Sequence, residues 1–369
     1  MTLHNNPEND NTALIPEREP CVTGTVGKKG IAWLLSALLF CVLTVIGLFS
    51  VSALFDTEAP IIRIDPRLLS SSAVAQIALL LVAYYACDGL RLYFVLRALG
   101  ERVPLKDIGP LVFINLYFSN ITPMATGGGL AQVWYLQKRG VPIGVSGAAT
   151  SIRTILAMLM VFGAAPAFQL LAPPMRDVWH PNERIVQSVS WAMALYVTGL
   201  LIVLFRSSLV GTAIGAALKV ASWLGILDTD RRDRWIVRMR EEMTGFSRSF
   251  WLFVTGKPLY AVLSLFFTAC FLLILFAFPG LLLSLVGYPV DWLSVMATVS
   301  VVTFLMYFAP TPGGAGISEL TFASLMTGQV SSAHLLLIVF AWRLLTIYLG
   351  VTIGAIFTFM AMRSRSLVP

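Results

Sequence analysis

Eight apolar runs divide this chain, and six of them are long enough to cross a bilayer. A helix needs about 20 apolar residues to span a hydrocarbon core of roughly 30 Å. Residues 31–55, 73–96, 145–171, 188–205, 258–280 and 335–360 meet that length. The chain as a whole is 57% hydrophobic and 12% charged, with a mean hydropathy of +0.81. Soluble domains carry about 25% charged residues, so the fold class is an all-α polytopic membrane protein. The run from Ile31 to Phe55 exceeds the roughly 7–15 residues of a signal-peptide core and reads as a retained helix. Residues 1–30 are polar and read as a disordered cytoplasmic tail, residues 31–360 as a single membrane domain, and 361–369 as a second cytoplasmic tail.

The two remaining runs are too short to span. Ile108–Thr122 covers fifteen residues, about 22 Å at roughly 1.5 Å per residue, and stops at Thr122-Pro123. Trp292–Ala309 stops in the same way at Pro310 and Pro312. Glycines follow each stop, then a short amphipathic segment, Leu130–Lys138 or Ile317–Gly328. Backbone broken at membrane depth is tolerated only where protein or water covers it. Both runs therefore read as re-entrant helical hairpins.

Charge supports that topology. With both termini cytoplasmic and both hairpins re-entrant, nineteen Lys and Arg fall inside and four outside, with Arg91, Arg153 and Arg343 left within the apolar runs. This is the bias the positive-inside rule requires. The net charge of +7 is accounted for by topology, not by nucleic acid. Residues 73–171 and 258–360 then form an inverted repeat of helix, hairpin and arginine-bearing helix. Pro123 precedes Arg153 by 30 residues and Pro312 precedes Arg343 by 31. Inverted repeats with broken helices are a plan of secondary transporters, and the matched breaks point to the binding site. The cytoplasmic segment 206–257 lies between the units. In it Trp235, Met239, Met243, Phe246 and Phe250 share a helical face flanked by Arg231, Arg232, Arg234, Arg238 and Arg240, a pattern suited to an anionic leaflet or to a helix covering the bundle.

The candidate site residues come from the breaks and the intramembrane charges. The hairpins contribute Thr122, Gly127, Gly128, Gly129 and Gln132 from the first, and Thr311, Gly313, Gly314, Gly316, Ser318 and Glu319 from the second. A half-helix N-terminus offers free N–H groups and a partial positive charge to an anion, and glycine lets a ligand approach the backbone. The plainer reading is a kink that Pro and Gly allow to pack. Arg153 and Arg343 sit about eight residues into their helices, roughly 12 Å deep. Such arginines mark pathways or ion pairs, unless they snorkel to the interface. Asp88 and Arg91, at i and i+3, can pair locally or relay a proton. Glu319 suits a helix start, and equally a pair with Arg343 or Arg153; Gln132 stands in the comparable place of the first unit.

Catalytic and metal chemistry find no support. The cysteines (Cys21, Cys41, Cys87, Cys270) are scattered, and the histidines (His4, His180, His334) form no cluster. Gly316-Ile-Ser-Glu319 lacks the trailing glycine of a serine-nucleophile turn. No cofactor, metal or nucleotide is expected, and no enzymatic activity.

Thr122-Pro-Met-Ala-Thr-Gly-Gly-Gly129 with Gln132 and Lys138-Arg-Gly140, together with Pro310-Thr-Pro-Gly-Gly-Ala-Gly-Ile-Ser-Glu319, resembles the flippase-like family. That family comprises the transmembrane region of lysylphosphatidylglycerol synthases and its stand-alone relatives. The resemblance implies a cytoplasmic-membrane protein that moves an anionic phospholipid or glycolipid between leaflets. Many synthase-type members have an Arg and an acid in the first motif, where this chain has Ala125-Thr126 and Gly129; specificity for aminoacylated lipid does not carry over. The synthases also continue into a soluble transferase domain, whereas this sequence runs about ten residues past its last apolar run. The expected partners are anionic membrane lipids, with a homo-oligomer or an enzyme partner compatible. The alternative function is a non-transporting partner that docks a lipid- or polysaccharide-modifying enzyme on its inner face.

Overall fold

A computed structural model describes residues 64–122, 124–171, 191–199 and 249–363, together with Leu38, Val42 and Ser188. The expected spans at 31–55 and most of 188–205, the tail 1–30, and the amphipathic stretch 231–248 lie outside the described residues; 191–199 is helical. Within the described residues the regular structure is helical, apart from one isolated bridge between Thr327 and Val330. The order is α1 (Ser71–Ala98), α2 (Leu105–Ile121), α3 (Thr126–Lys138), α4 (Ile143–Leu171), α5 (Pro258–Leu285), α6 (Trp292–Phe308), α7 (Ile317–Met326), α8 (Ser332–Arg343) and α9 (Leu349–Arg363). A π-helical turn, Leu344–Tyr348, joins α8 to α9. Four helices have the length and composition to cross a membrane: α1, α4 over Ile143–Ala164, α5, and the continuous Ser332–Arg363. The chain is a multi-pass, all-α membrane protein.

The helices α2 and α6 each have 17 residues, about 25 Å at roughly 1.5 Å per residue, which is short of a roughly 30 Å core. Each turns back on itself. Arg139, just past the end of α3, pairs with Asp107 in the first turn of α2 at 3.1 Å, so both ends of the first hairpin emerge together. In the second, the Tyr288 hydroxyl, on the loop before α6, accepts from the Ser331 amide on the loop after α7 at 3.1 Å. It also sits 2.9 Å from His334 Nδ1.

The two hairpins open at opposite ends of the bundle. α1 and α5 pack antiparallel. Arg67, at the start of α1, donates to the Val286 carbonyl at the end of α5. Phe94, near the end of α1, stacks on Phe267 and Tyr260 near the start of α5. The first hairpin opens beside the α1 C-terminus, where Lys138 donates to the Ala361 carbonyl at 2.8 Å. The second opens beside the α1 N-terminus. Packing is correspondingly twofold: α2 lies on α3 and on the distant α9, as α6 lies on α7 and on the distant α4. Each arginine-bearing helix thus braces the hairpin of the other unit. Glycine makes one brace possible: a Cβ at Gly354 would collide with the Phe113 carbonyl of α2, and one at Gly350 would come within 3.0 Å of Leu116 Cδ1. The other brace is aromatic, with Phe162 of α4 against Phe304 and Tyr307 of α6 at 4.9 and 5.6 Å between ring centroids.

Two expectations about the first hairpin need correction. The break is made by Met124 and Ala125, both at left-handed φ (53° and 54°), and the glycine triplet already belongs to α3. The return helix therefore begins at Thr126, not Leu130. In the second hairpin the glycines do make the turn, with Gly313, Gly314 and Gly316 at φ of 59°, 64° and 86°. L-residues resist that region by roughly 1–2 kcal/mol each, so the first break stores strain that the second avoids.

Candidate functional site

The glycines of the first hairpin are used for packing. A Cβ at Gly127 would come within 2.7 Å of Thr122 Cγ2, and one at Gly128 would collide with Ser119 Oγ on α2. Thr122 holds the break shut: its hydroxyl donates to the Phe118 carbonyl at 2.6 Å and accepts from the Gly127 amide at 2.9 Å. Gly129 faces the Thr150 methyl of α4, 3.4 Å from where a Cβ would lie. Gly314 is likewise committed, its would-be Cβ 2.9 Å from Met306. At Gly316 that position is open space.

Arg153 and Arg343 lie deeper than their apolar runs imply. Helix α4 begins at Ile143 and α8 at Ser332, so the two arginines stand about 15 and 16 Å from their helix starts at roughly 1.5 Å per residue. That is close to the middle of a roughly 30 Å core. Both are buried, at 5% and 1% exposure. At this depth the snorkelling reading fails, and each side chain needs a partner inside the protein.

The partners differ. Glu319, with no exposed surface, stands in the first turn of α7, and its carboxylate caps the helix it belongs to. Oε2 accepts from the Gly316 amide at 2.8 Å and lies 2.7 Å from the Ser318 hydroxyl, which also reaches the Gly314 carbonyl. Oε1 sits 2.8 Å from Arg343 Nε, an ion-pair distance without hydrogen-bond alignment. Arg343 Nη2 donates to the Gly313 carbonyl at 2.9 Å. The anion position that a helix start offers is thus filled by the protein's own carboxylate. Thr311 Oγ1 and Arg343 Nη1 are buried without a hydrogen-bond partner.

The first unit is built otherwise. Gln132 is the seventh residue of α3, one to two turns past its start, and it caps nothing; its buried amide has no hydrogen-bond partner on either atom. The equivalence of Gln132 with Glu319 is therefore lost, because α3 begins at Thr126, four residues earlier than the sequence motif suggests. Arg153 turns to α1, where its Nη2 donates to Asp88 at 2.5 Å. Arg91 donates through Nε to the same Asp88 oxygen at 2.7 Å and pairs with it through Nη2 as well. Asp88–Arg91 is thus no isolated local pair but part of a buried triad in which two guanidiniums share one carboxylate. The Arg91 guanidinium stacks on Phe271 of α5, 3.9 Å from the ring centroid. Tyr307, near the end of α6, lies within electrostatic range of Arg91, Arg153 and Asp88. One nitrogen on each arginine of the triad, Arg91 Nη1 and Arg153 Nε, is buried without a hydrogen-bond partner.

Sequence reasoning missed the reach from Arg153 to Asp88, since the two are 65 residues apart and nothing local couples them. It also missed Tyr307 and the bracing glycines. Gly350 and Gly354 form a small-xxx-small pattern in an apolar helix, and that signal was available.

Comparison with known proteins places these features in a family. A family model described as the lysylphosphatidylglycerol synthase TM region matches residues 30–354. A UPF0104 membrane protein of Archaeoglobus fulgidus is 23% identical over 288 residues, covering 75% of this chain and 83% of that protein.

Proposed function

This chain belongs to the family of the lysylphosphatidylglycerol synthase transmembrane region, and from that premise we propose that it is a lipid translocator of the cytoplasmic membrane. An anionic phospholipid or glycolipid headgroup passes through the centre of the bundle while its chains stay in the bilayer. The observation that carries this reading is the pair of mid-depth arginines, Arg153 and Arg343, one in each of two oppositely facing units. A buried guanidinium is costly in a membrane, and two at matched depth favour a pathway over coincidence. Glu319 is the exchangeable counter-charge that an incoming anion displaces from Arg343. The protein moves lipid without covalent chemistry. Among the described residues Arg97, Arg102, Lys106, Lys138, Arg139, Lys257 and Arg363 crowd the end where the first hairpin opens, against Arg67 at the other. By the positive-inside rule the first hairpin then opens to the cytoplasm and the second to the outside.

Reconstitution tests the reading. Vesicles containing the protein and a trace of fluorescent phosphatidylglycerol are treated with a membrane-impermeant quencher. The protein should speed the loss of the inner-leaflet signal, and Arg153→Gln should return it to the protein-free rate. A wild-type rate no faster than protein-free vesicles across anionic phospholipids and glycolipids refutes translocation.

A further inference from the structure

The charge of the buried groups specifies more than the word anionic. Between the two ends of the bundle the described residues bury three guanidiniums, Arg91, Arg153 and Arg343, and two carboxylates, Asp88 and Glu319. The Arg343–Glu319 pair is neutral, and its carboxylate is also held by Gly316 and Ser318. The Arg91–Asp88–Arg153 triad is not neutral: it carries one surplus positive charge, with Arg91 Nη1 and Arg153 Nε unpartnered at 6% and 5% residue exposure. Uncompensated buried charge is expensive, and among the described residues the triad lacks one balancing negative charge.

Resting on the translocator reading, we infer that the triad is the headgroup site and that it takes a phosphodiester monoanion. One phosphodiester brings the surplus to zero and supplies acceptors to the two free nitrogens. A phosphomonoester dianion would leave the site one unit negative. A zwitterionic headgroup would bring its phosphate together with a cation, for which the described residues at the site offer no free carboxylate. The closed Glu319–Arg343 pair is then a later station, engaged only when its carboxylate is displaced. A water-soluble phosphodiester has the same headgroup chemistry, and only its missing chains distinguish it from a lipid.

Binding of short-chain lipids to the purified full-length protein at pH 8 decides the matter. The probes are dihexanoyl phosphatidylglycerol, dihexanoyl phosphatidic acid, dihexanoyl phosphatidylcholine and chain-free glycerophosphoglycerol. The second ionisation of a phosphomonoester lies near pH 6, so the phosphatidic acid is a dianion there. The wild type should prefer the phosphatidylglycerol at least tenfold over the other two lipids, and bind the chain-free phosphodiester at least tenfold more weakly. Asp88→Asn raises the surplus to two and should turn the preference toward phosphatidic acid. Arg91→Gln lowers the surplus to zero and should abolish the preference for the monoanion over phosphatidylcholine; it serves where Asp88→Asn does not fold. Equal binding of all three lipids, or a preference that neither variant moves, overturns the monoanion assignment and leaves translocation standing. Tight binding of the chain-free compound alone would make the cargo a soluble anion and overturn the lipid reading itself.

Discussion

Replacing Arg343 and Arg153 with methionine should have unequal structural consequences, although both changes should stop transport. Arg343→Met strands Glu319, a carboxylate with no solvent exposure whose opposite charge is Arg343. Breaking a buried pair by removing one partner costs about 3–5 kcal/mol, and the lost bond to the Gly313 carbonyl falls within that figure. Arg153→Met leaves Asp88 still paired with Arg91. It removes one charge-assisted hydrogen bond, worth about 1.5–3 kcal/mol, but also removes the surplus charge, so the net loss should be about 1 kcal/mol or less. The double variant Arg343→Met with Glu319→Leu should recover most of the first loss, because an apolar pair of similar volume replaces a buried ion pair at little cost. What remains is the lost cap on the Gly316 amide, about 1 kcal/mol. Equilibrium unfolding in mixed micelles, titrated with denaturing detergent, measures all three. Equal losses for the two single variants, or a double variant as unstable as the sum of its parts, would refute the distinction between a closed pair and an open triad. A practical point follows for transport assays: a null result for Arg343→Met alone confounds function with abundance, and Arg153→Met does not.

Gly354→Leu should destabilise by about 1–3 kcal/mol through overpacking against α2, as read by the same unfolding assay, whereas Gly350→Ala should cost less because its nearest neighbour is the movable Leu116 side chain. Ala125→Gly should stabilise by up to about 1 kcal/mol by relieving a left-handed φ; Gly316→Ala should destabilise by a similar amount even though open space surrounds its Cβ position. The Asp107–Arg139 pair is partly exposed, so a double-mutant cycle should give it no more than about 1 kcal/mol, falling with added salt.

What the sequence makes plain is the part written in local pattern. Apolar length locates α1, α4, α5 and the final span, and the Pro-Gly interruptions locate both hairpins. Arg153 and Arg343 stand out because an apolar run makes any charge conspicuous. Helix starts were harder, since Met124 and Ala125 carry no turn signature and three consecutive glycines imitate one. Partnership was illegible wherever it crosses between helices: Asp88 reads as Arg91's neighbour at i+3, while its bond to Arg153 depends on how α1 and α4 are laid together. Glu319 was the favourable half-case: its cap on its own helix follows from its place in the first turn, while the choice of Arg343 over Arg153 as its partner depends on how α7 and α8 are laid together.

The crossed bracing also sets a timetable for synthesis. The first hairpin is complete in the chain at Lys138, but its surface on α2 is covered by α9, which begins at Leu349. At about 5–20 residues per second that partner emerges roughly 10–40 s after the hairpin itself. During that interval a helix too short to span, with a strained break at its tip, must wait in the bilayer or against the insertion machinery without the glycine-lined face that finally holds it. The second hairpin faces no such delay, because its brace, α4, has been made before it. A ribosome stalled between α7 and α9 would therefore leave one half of the molecule assembled and the other half still waiting.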